Sequence, residues 1–254
     1  MRIAIYSPNW IGDAIMALPF ISKLKVQNPN AEISVVCKEW VSGVYEQNPA
    51  IDKLITIKNN SLKNVFGTFE TGRSLKLKNF DQFYTLTDSF RSAFVLWISG
   101  SAKRIGYKAQ LRSFLLTKSF NHPKKRIHRS KKFLKLLSNG EGSITNPVIY
   151  ISKKEAIWAK DEMERLNFSR PVAIFPFSIA ENRSISKETI QSWIKNSKAD
   201  YLIFGSKNDS TKGESIINQC KNNSIKSICG KYSLRESILL ISQCHYSLAA
   251  DSGL

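Results

Sequence analysis

The sequence has no run of about 18 consecutive apolar residues, the length a helix needs to cross a hydrocarbon core, which excludes a spanning helix and leaves only peripheral membrane contact. The apolar start is interrupted early by Pro8 and Asp13, so the unbroken core of a signal peptide is missing as well. Cysteine is sparse. Cys37, Cys220, Cys229 and Cys244 form no C-x-x-C pair and fit neither a secreted disulfide framework nor a zinc ribbon. The intervals among Cys220, Cys229 and His245 match no zinc pattern, so no metal and no cofactor are expected, and a reduced, cytoplasmic setting is. Acidic residues are also few, 20 Asp and Glu against 38 Lys and Arg, a formal charge of +18. That balance favours anionic partners: nucleic acid, phosphorylated lipid or a nucleotide sugar. No helix-turn-helix, RRM or KH signature accompanies it, which argues against nucleic acid.

What is present is apolar residue in quantity. At 254 residues and 42% apolar, the chain can bury one large core or two smaller ones. Arg2 to Tyr6 reads as a buried strand, Ser7 to Asn9 breaks it, and Ile11 to Val26 has helical spacing. Strands at Ile33 to Cys37, Lys53 to Ile57 and Gln82 to Leu86 follow, with helices at Trp40 to Tyr45 and Phe90 to Ile98. Asn59 to Lys78 shows no clear period and reads as an exposed excursion. After a helix at Ser130 to Leu137, the cluster Asn139 to Ser143 is the linker candidate. A second alternation then runs through a helix at Lys153 to Leu166, strands at Val172 to Pro176 and Tyr201 to Phe204, and helices near Lys187 to Lys195, Gly213 to Lys221 and Leu234 to Cys244. Alternating strands and helices predict two α/β lobes with parallel sheets, residues 1–150 and 151–254. Ser247 to Ala250 reads as a strand with little after it, so the second lobe is expected to be incomplete.

Ligands of open α/β sheets bind beyond the carboxyl ends of the strands. Asp13, beside Gly12 in the first such turn, can accept a proton from a hydroxyl or can simply cap its helix. Gly205-Ser206, with Asp209, offers amides to a phosphate and a carboxylate to a ribose, or is an ordinary turn. Asp251-Ser252-Gly253 poses the same choice. Arg104, Lys108 and Arg112 surround Gly106-Tyr107, and Lys124, Lys125, Arg126, Arg129, Lys131 and Lys132 follow; both groups suit a phosphorylated ligand or a solvated basic face.

Taken in order, these segments resemble the heptosyltransferases of bacterial lipopolysaccharide synthesis, glycosyltransferase family nine, of the heptosyltransferase II type. Pro8-Asn9-Trp10-Ile11-Gly12-Asp13 resembles the family's P-x-W-h-G-D segment, with h apolar. Asp88-Ser89-Phe90-Arg91-Ser92-Ala93 resembles N-S-F-[KR]-S-A, and Arg104-Ile105-Gly106-Tyr107 resembles R-x-G-[WY]. Phe204-Gly205-Ser206-Lys207-Asn208-Asp209 matches F-G-S-x-x-D, and Asp251-Ser252-Gly253-Leu254 matches D-S-G-L. The resemblance implies a GT-B fold of two facing Rossmann-like lobes, with ADP-heptose as donor and the phosphorylated inner core of a lipid A-linked acceptor. It also implies inversion at the anomeric carbon with Asp13 as general base, at the cytoplasmic face of the inner membrane. Acceptor contacts would come from Trp10, Gly12, Arg91, Arg104, Lys108 and Arg112. Donor contacts would come from Ser178, Arg183, Gly205, Ser206, Asp209, Asp251, Ser252 and Gly253. The chain departs from the family where P-G-A and K-R-W are usual: it reads Pro176-Phe177-Ser178 and Asn182-Arg183-Ser184. Together with the expected incomplete second lobe, this keeps an alternative open: an impaired remnant that binds anionic glycolipid or a partner without turnover.

Overall fold

The computed structural model describes residues 1–58, 60–62, 64–137, 146–178, 180–195, 197–218 and 225–250. The expected linker, Asn139 to Ser143, lies outside them. The chain divides into two compact units, Met1–Tyr150 and Ile151–Leu254.

In the first unit β1 (Arg2–Tyr6), α1 (Ile11–Gln27), β2 (Glu32–Lys38), β3 (Lys53–Ile57), α2 (Val65–Lys76), β4 (Gln82–Thr85), α3 (Phe90–Ile98), β5 (Lys103–Tyr107), β6 (Lys118–Phe120) and α4 (Arg129–Leu134) follow one another. The six strands pair in parallel in the order β3-β2-β1-β4-β5-β6. The central strands β1, β2 and β4 are buried on both faces, so their residues alternate between two helix layers. Ala4 and Tyr6 of β1 and Phe83 of β4 pack with Leu75 of α2 and Ala93 and Leu96 of α3. The next residue of β4, Tyr84, points the other way and meets Phe20 of α1 edge to face at 5.4 Å.

The expected excursion at 59–78 contains α2, which its pattern concealed. The buried residues of α2 are Thr68, Thr71, Gly72 and Leu75, whereas Val65, Phe66 and Phe69 are exposed. A helix that buries threonine and glycine and exposes phenylalanine gives no inward apolar stripe to read. Gly72 is there for contact: a Cβ would lie 2.6 Å from Cβ of Ile98, so α2 and α3 touch backbone to side chain. The predicted helix at Trp40 to Tyr45 is a 3-10 turn over Glu39–Val44. The short β5 and β6 fall in stretches rich in cations, where the sequence shows no strand alternation.

The second unit contains α5 (Lys153–Arg165), β7 (Val172–Phe175), α6 (Lys187–Lys195), β8 (Tyr201–Ile203), α7 (Ser210–Ile217), β9 (Ile225–Ser227), α8 (Leu234–Ile241) and β10 (Ser247–Ala249). Its strands are parallel in the order β10-β7-β8-β9. Val172, Ile174, Tyr201 and Ile203 join Ile190, Ile194 and Ile216 of α6 and α7 in one core. Their neighbours Ala173, Phe175 and Leu202 join Met163 of α5 and Leu240 of α8 in the other. The period of two thus splits seven strand residues between two layers.

An ion pair locks the α5/α8 layer. Ser152 and Glu155 form a capping box at the start of α5, and the same Glu155 carboxylate accepts Nε and Nη2 of Arg235 at 2.9 Å each. Arg235 hydrogen bonding and the Ser152 amide hold this acid down at about 2 against an ordinary 4.5, although partial burial opposes them. Because the folded pKa is depressed, the stabilisation is complete above pH 4.5 and disappears as pH falls towards 2. Glu155→Gln is expected to lose on the order of 2–3 kcal/mol at neutral pH and to flatten the acid limb between pH 4.5 and 2 in urea titrations of the second unit. In the first unit, Gly72→Val should push α2 off α3 and cost about 2 kcal/mol, measured as a lowered thermal midpoint.

Candidate functional site

The first unit's strand order reverses between β1 and β4, which opens a crevice beyond their carboxyl ends where a ligand can lie between diverging loops. The loop after β1 is pinned at its start. The Ser7 amide donates to Val36 O at 2.9 Å, and Ser7 Oγ lies 2.6 Å from Tyr45 Oη. Burial pushes the Tyr45 phenol well above its ordinary range, so this is a contact between two neutral hydroxyls.

Trp10 is the N-cap of α1, extended in backbone and without a side-chain cap bond, so the amides of the first turn keep their positive pole. Asp13 stands in that first turn. Its Oδ1 accepts Arg129 Nε of α4 at 3.1 Å, and its side chain is 27% exposed. The carboxylate therefore does not cap the helix; it reaches across to α4. A Cβ on Gly12 would meet nothing within 4 Å, so the space over this turn is open. Trp10, 57% exposed, stands beside it, edge to face with Trp40.

The loop after β4 brings Asp88, Ser89 and Arg91. Ser89 caps α3 by accepting the Ser92 amide. Asp88 gathers two cations, Lys132 Nζ at 2.7 Å and Arg112 Nη2 at 3.7 Å, and His122 Nε2 lies 3.9 Å away. Arg91 is exposed on α3 near the end of β1: burial pushes the Tyr6 phenol up to about 12, and the charge of Arg91 pulls the other way.

The three cations proposed around Gly106-Tyr107 separate in the structure. Arg112 is fully buried; Nε and Nη2 donate to Tyr107 O, and Nη1 to Ser89 O and Ser92 Oγ. Its guanidinium ties the β5 turn to the start of α3. Arg104 is half-buried, giving Nε to Leu115 O and Nη1 to Ser101 O. Lys108 is exposed. Two cations on α4, Arg129 and Lys132, instead reach the acidic residues of the crevice. In the sequence they sit within a basic run indistinguishable from a solvated face, and only their spacing of three hints at a shared side.

In the second unit the order reverses between β7 and β10. Pro176-Phe177-Ser178 follows β7, where Ile185 N donates to Pro176 O and Ser178 N to Ser184 Oγ at 2.9 Å. Arg183 ends a 3-10 turn, Glu181–Arg183, and Asn182 beside it is exposed. After β8, Gly205 is closely packed: a Cβ would lie 2.9 Å from both Phe177 Cδ2 and Cys229 Sγ. Asp209 Oδ2 accepts both the amide and the hydroxyl of Ser206, closing a capping box. The calls on Asp251, Ser252 and Gly253 lie outside the described residues. Burial pushes the Cys37 and Cys244 thiols up to about 12, so neither serves as a thiolate at neutral pH.

Against known proteins, residues 68–254 match the model of glycosyltransferase family 9 (heptosyltransferase). Lipopolysaccharide heptosyltransferase 2 of Escherichia coli K12 is 22% identical over 278 aligned residues, covering 100% of this chain and 78% of that protein. The solved Escherichia coli ADP-heptose lps heptosyltransferase II superposes with a TM-score of 0.83 at 20% identity, over 100% of this chain and 80% of that one. Escherichia coli heptosyltransferase WaaC with ADP-2-deoxy-2-fluoro heptose superposes with a TM-score of 0.73 at 13% identity, over 100% and 84%. With its two parallel α/β units, its strand-end Asp13 and a family match over most of its length, this chain belongs to glycosyltransferase family 9, the heptosyltransferases.

Proposed function

We propose that this chain transfers a heptose from ADP-heptose to the phosphorylated inner core of a lipid A-linked acceptor, inverting the anomeric centre, with Asp13 as general base. The observation that carries the reading is Asp13 itself: a carboxylate at the carboxyl-end crevice, beside the open space over Gly12 and oriented through one oxygen by Arg129. The names of the similar Escherichia coli proteins, and the donor analogue held by WaaC, support the choice of sugar and donor.

In this reading Asp13 Oδ2 takes the proton of the acceptor hydroxyl while that oxygen bonds to the anomeric carbon. The bond from the anomeric carbon to the diphosphate oxygen breaks, and its electron pair leaves with ADP. Trp10 and Gly12 border the acceptor, and Arg91 and Lys108 meet its phosphates. Arg104 and Arg112 support the loops from which those side chains project. On the donor side Ser178, Arg183 and the Gly205-Ser206 turn meet the diphosphate, with Asp209 holding that turn and Asp251, Ser252 and Gly253 completing the set. Protein cations and amides balance the leaving group, without a metal. The formal charge of +18 suits work at the anionic cytoplasmic face of the inner membrane.

One observation favours a second reading, acceptor binding without turnover: the Phe177 ring packs on Gly205, where a backbone would otherwise approach phosphate. Calorimetric titration with ADP separates the two, since the second reading requires that no binding be seen. For the first, Asp13→Asn should lower kcat by about 10²–10⁴ in an ADP-release assay with ADP-heptose and a lipid A-linked acceptor, leaving the donor KM within about twofold. A variant that kept near-normal kcat would remove Asp13 as the base. Arg129→Ala should lower kcat by about tenfold, through lost orientation of the carboxylate.

A further inference from the structure

The outward-facing phenylalanines of α2 belong to a larger surface. On α3, Phe90, Phe94 and Trp97 recur at helical spacing and stack in series, with ring centroids 6.3 and 5.9 Å apart. Phe114, 73% exposed, continues the row 6.3 Å from Phe90. On α2, whose Gly72 touches Ile98 of α3, Phe66 and Phe69 are exposed as well. Large aromatic rings at this exposure add up to roughly 500 Å² of apolar surface, as large as patches that mark contact sites.

The tip of the surface is held out by the backbone. Leu111 is 90% exposed, and it and Gln110 both have positive φ, 56° and 44°, which side chains other than glycine adopt only under constraint. Gln110 Oε1 accepts the Phe90 amide at 2.9 Å, and Arg112 N donates to Ala109 O, so the strained turn is fixed to the start of α3. A leucine displayed in this way serves no core.

Charge around the patch is mostly positive. Residues 64–78 and 89–116 contain a single acidic residue, Glu70, against Arg73, Lys76, Lys78, Arg91, Lys103, Arg104, Lys108 and Arg112. Of the arginines, Arg104 and Arg112 are engaged internally, whereas Arg73, Lys76, Lys78, Arg91, Lys103 and Lys108 are exposed. Aromatic rings with a rim of cations match the interface of an anionic bilayer, where rings settle at headgroup depth and cations meet phosphate. An acidic protein would satisfy the rim but not five exposed aromatic rings, Phe66, Phe69, Phe90, Trp97 and Phe114, and a displayed leucine.

We propose that the outer face of α2 and α3, with the Leu111 and Phe114 tip, is the surface by which this protein docks on an anionic phospholipid bilayer. The proposal deepens the membrane location proposed above, and its test omits the acceptor so that it fails or succeeds apart from the transfer reaction. Vesicles of phosphatidylethanolamine and phosphatidylglycerol, and neutral phosphatidylcholine vesicles, are sedimented with the full chain. Wild-type protein should partition at least tenfold more strongly onto the anionic vesicles and be released by 0.5 M salt, about the concentration that shrinks electrostatic range to a few ångströms. The combined variant Phe66→Ser, Trp97→Ser, Phe114→Ser should lose at least tenfold in partitioning. Leu111→Gly removes the tip while relieving its positive φ, so it should fold at least as well and still lose several-fold. Vesicle binding unchanged in both variants, or absent from the wild type, overturns the proposal. So does a wild-type dimer that both variants convert to monomer without any change in vesicle binding, since the occupant would then be a second copy.

Discussion

The parallel pairing of β1 with β4 is the constraint on which the first unit depends. Ile3 to Tyr6 lie in register with Gln82 to Thr85, and β2 lies on the other side of β1, so the chain leaves the two central strands in opposite lateral directions. That divergence creates the crevice, and the loops that border it carry Asp13 on one side and Asp88 to Arg91 on the other. Helix α4 gives an ion pair to each side: Arg129 with Asp13 and Lys132 with Asp88. An apolar sheet core therefore positions a polar rim, and α4 fastens the rim to the two acidic loops.

Much of this was legible in the sequence because the relevant signals are local. The strands at β1, β2, β7 and β8 are short apolar runs buried on both faces, and the turn residues after them stand where strand-end chemistry is expected. Asp13 could be singled out because Gly12 and the strand end precede it directly. What stayed hidden was tertiary. The inward face of α2 is threonine and glycine, chosen for close approach to Ile98, so hydrophobic period misreads it. Arg129 lies 116 positions from Asp13, and no spacing rule connects them. Cations at 104, 108 and 112 look equivalent as letters, yet one is exposed, one half-buried and one sealed in the core.

The second unit uses the same plan with different fastening. Where the first unit secures its layers by loops and α4, the second relies on the Glu155 and Arg235 pair and on tight glycine contacts at Gly205, Gly213 and Gly230. Gly230 has φ of 69°, and a Cβ there would meet the Lys207 backbone at 2.5 Å, so the turn after β9 can press against the turn after β8 only with glycine at that position.

The buried Arg112 changes how loss of function in this chain should be interpreted. Its guanidinium bridges two carbonyls, a hydroxyl and the Asp88 carboxylate, and a neutral replacement would strand those acceptors in a dry interior. An inactive Arg112 variant would thus report a collapsed scaffold between β5 and α3 rather than a severed grip on substrate. In this protein an arginine beside a ligand crevice can be indispensable while touching no ligand.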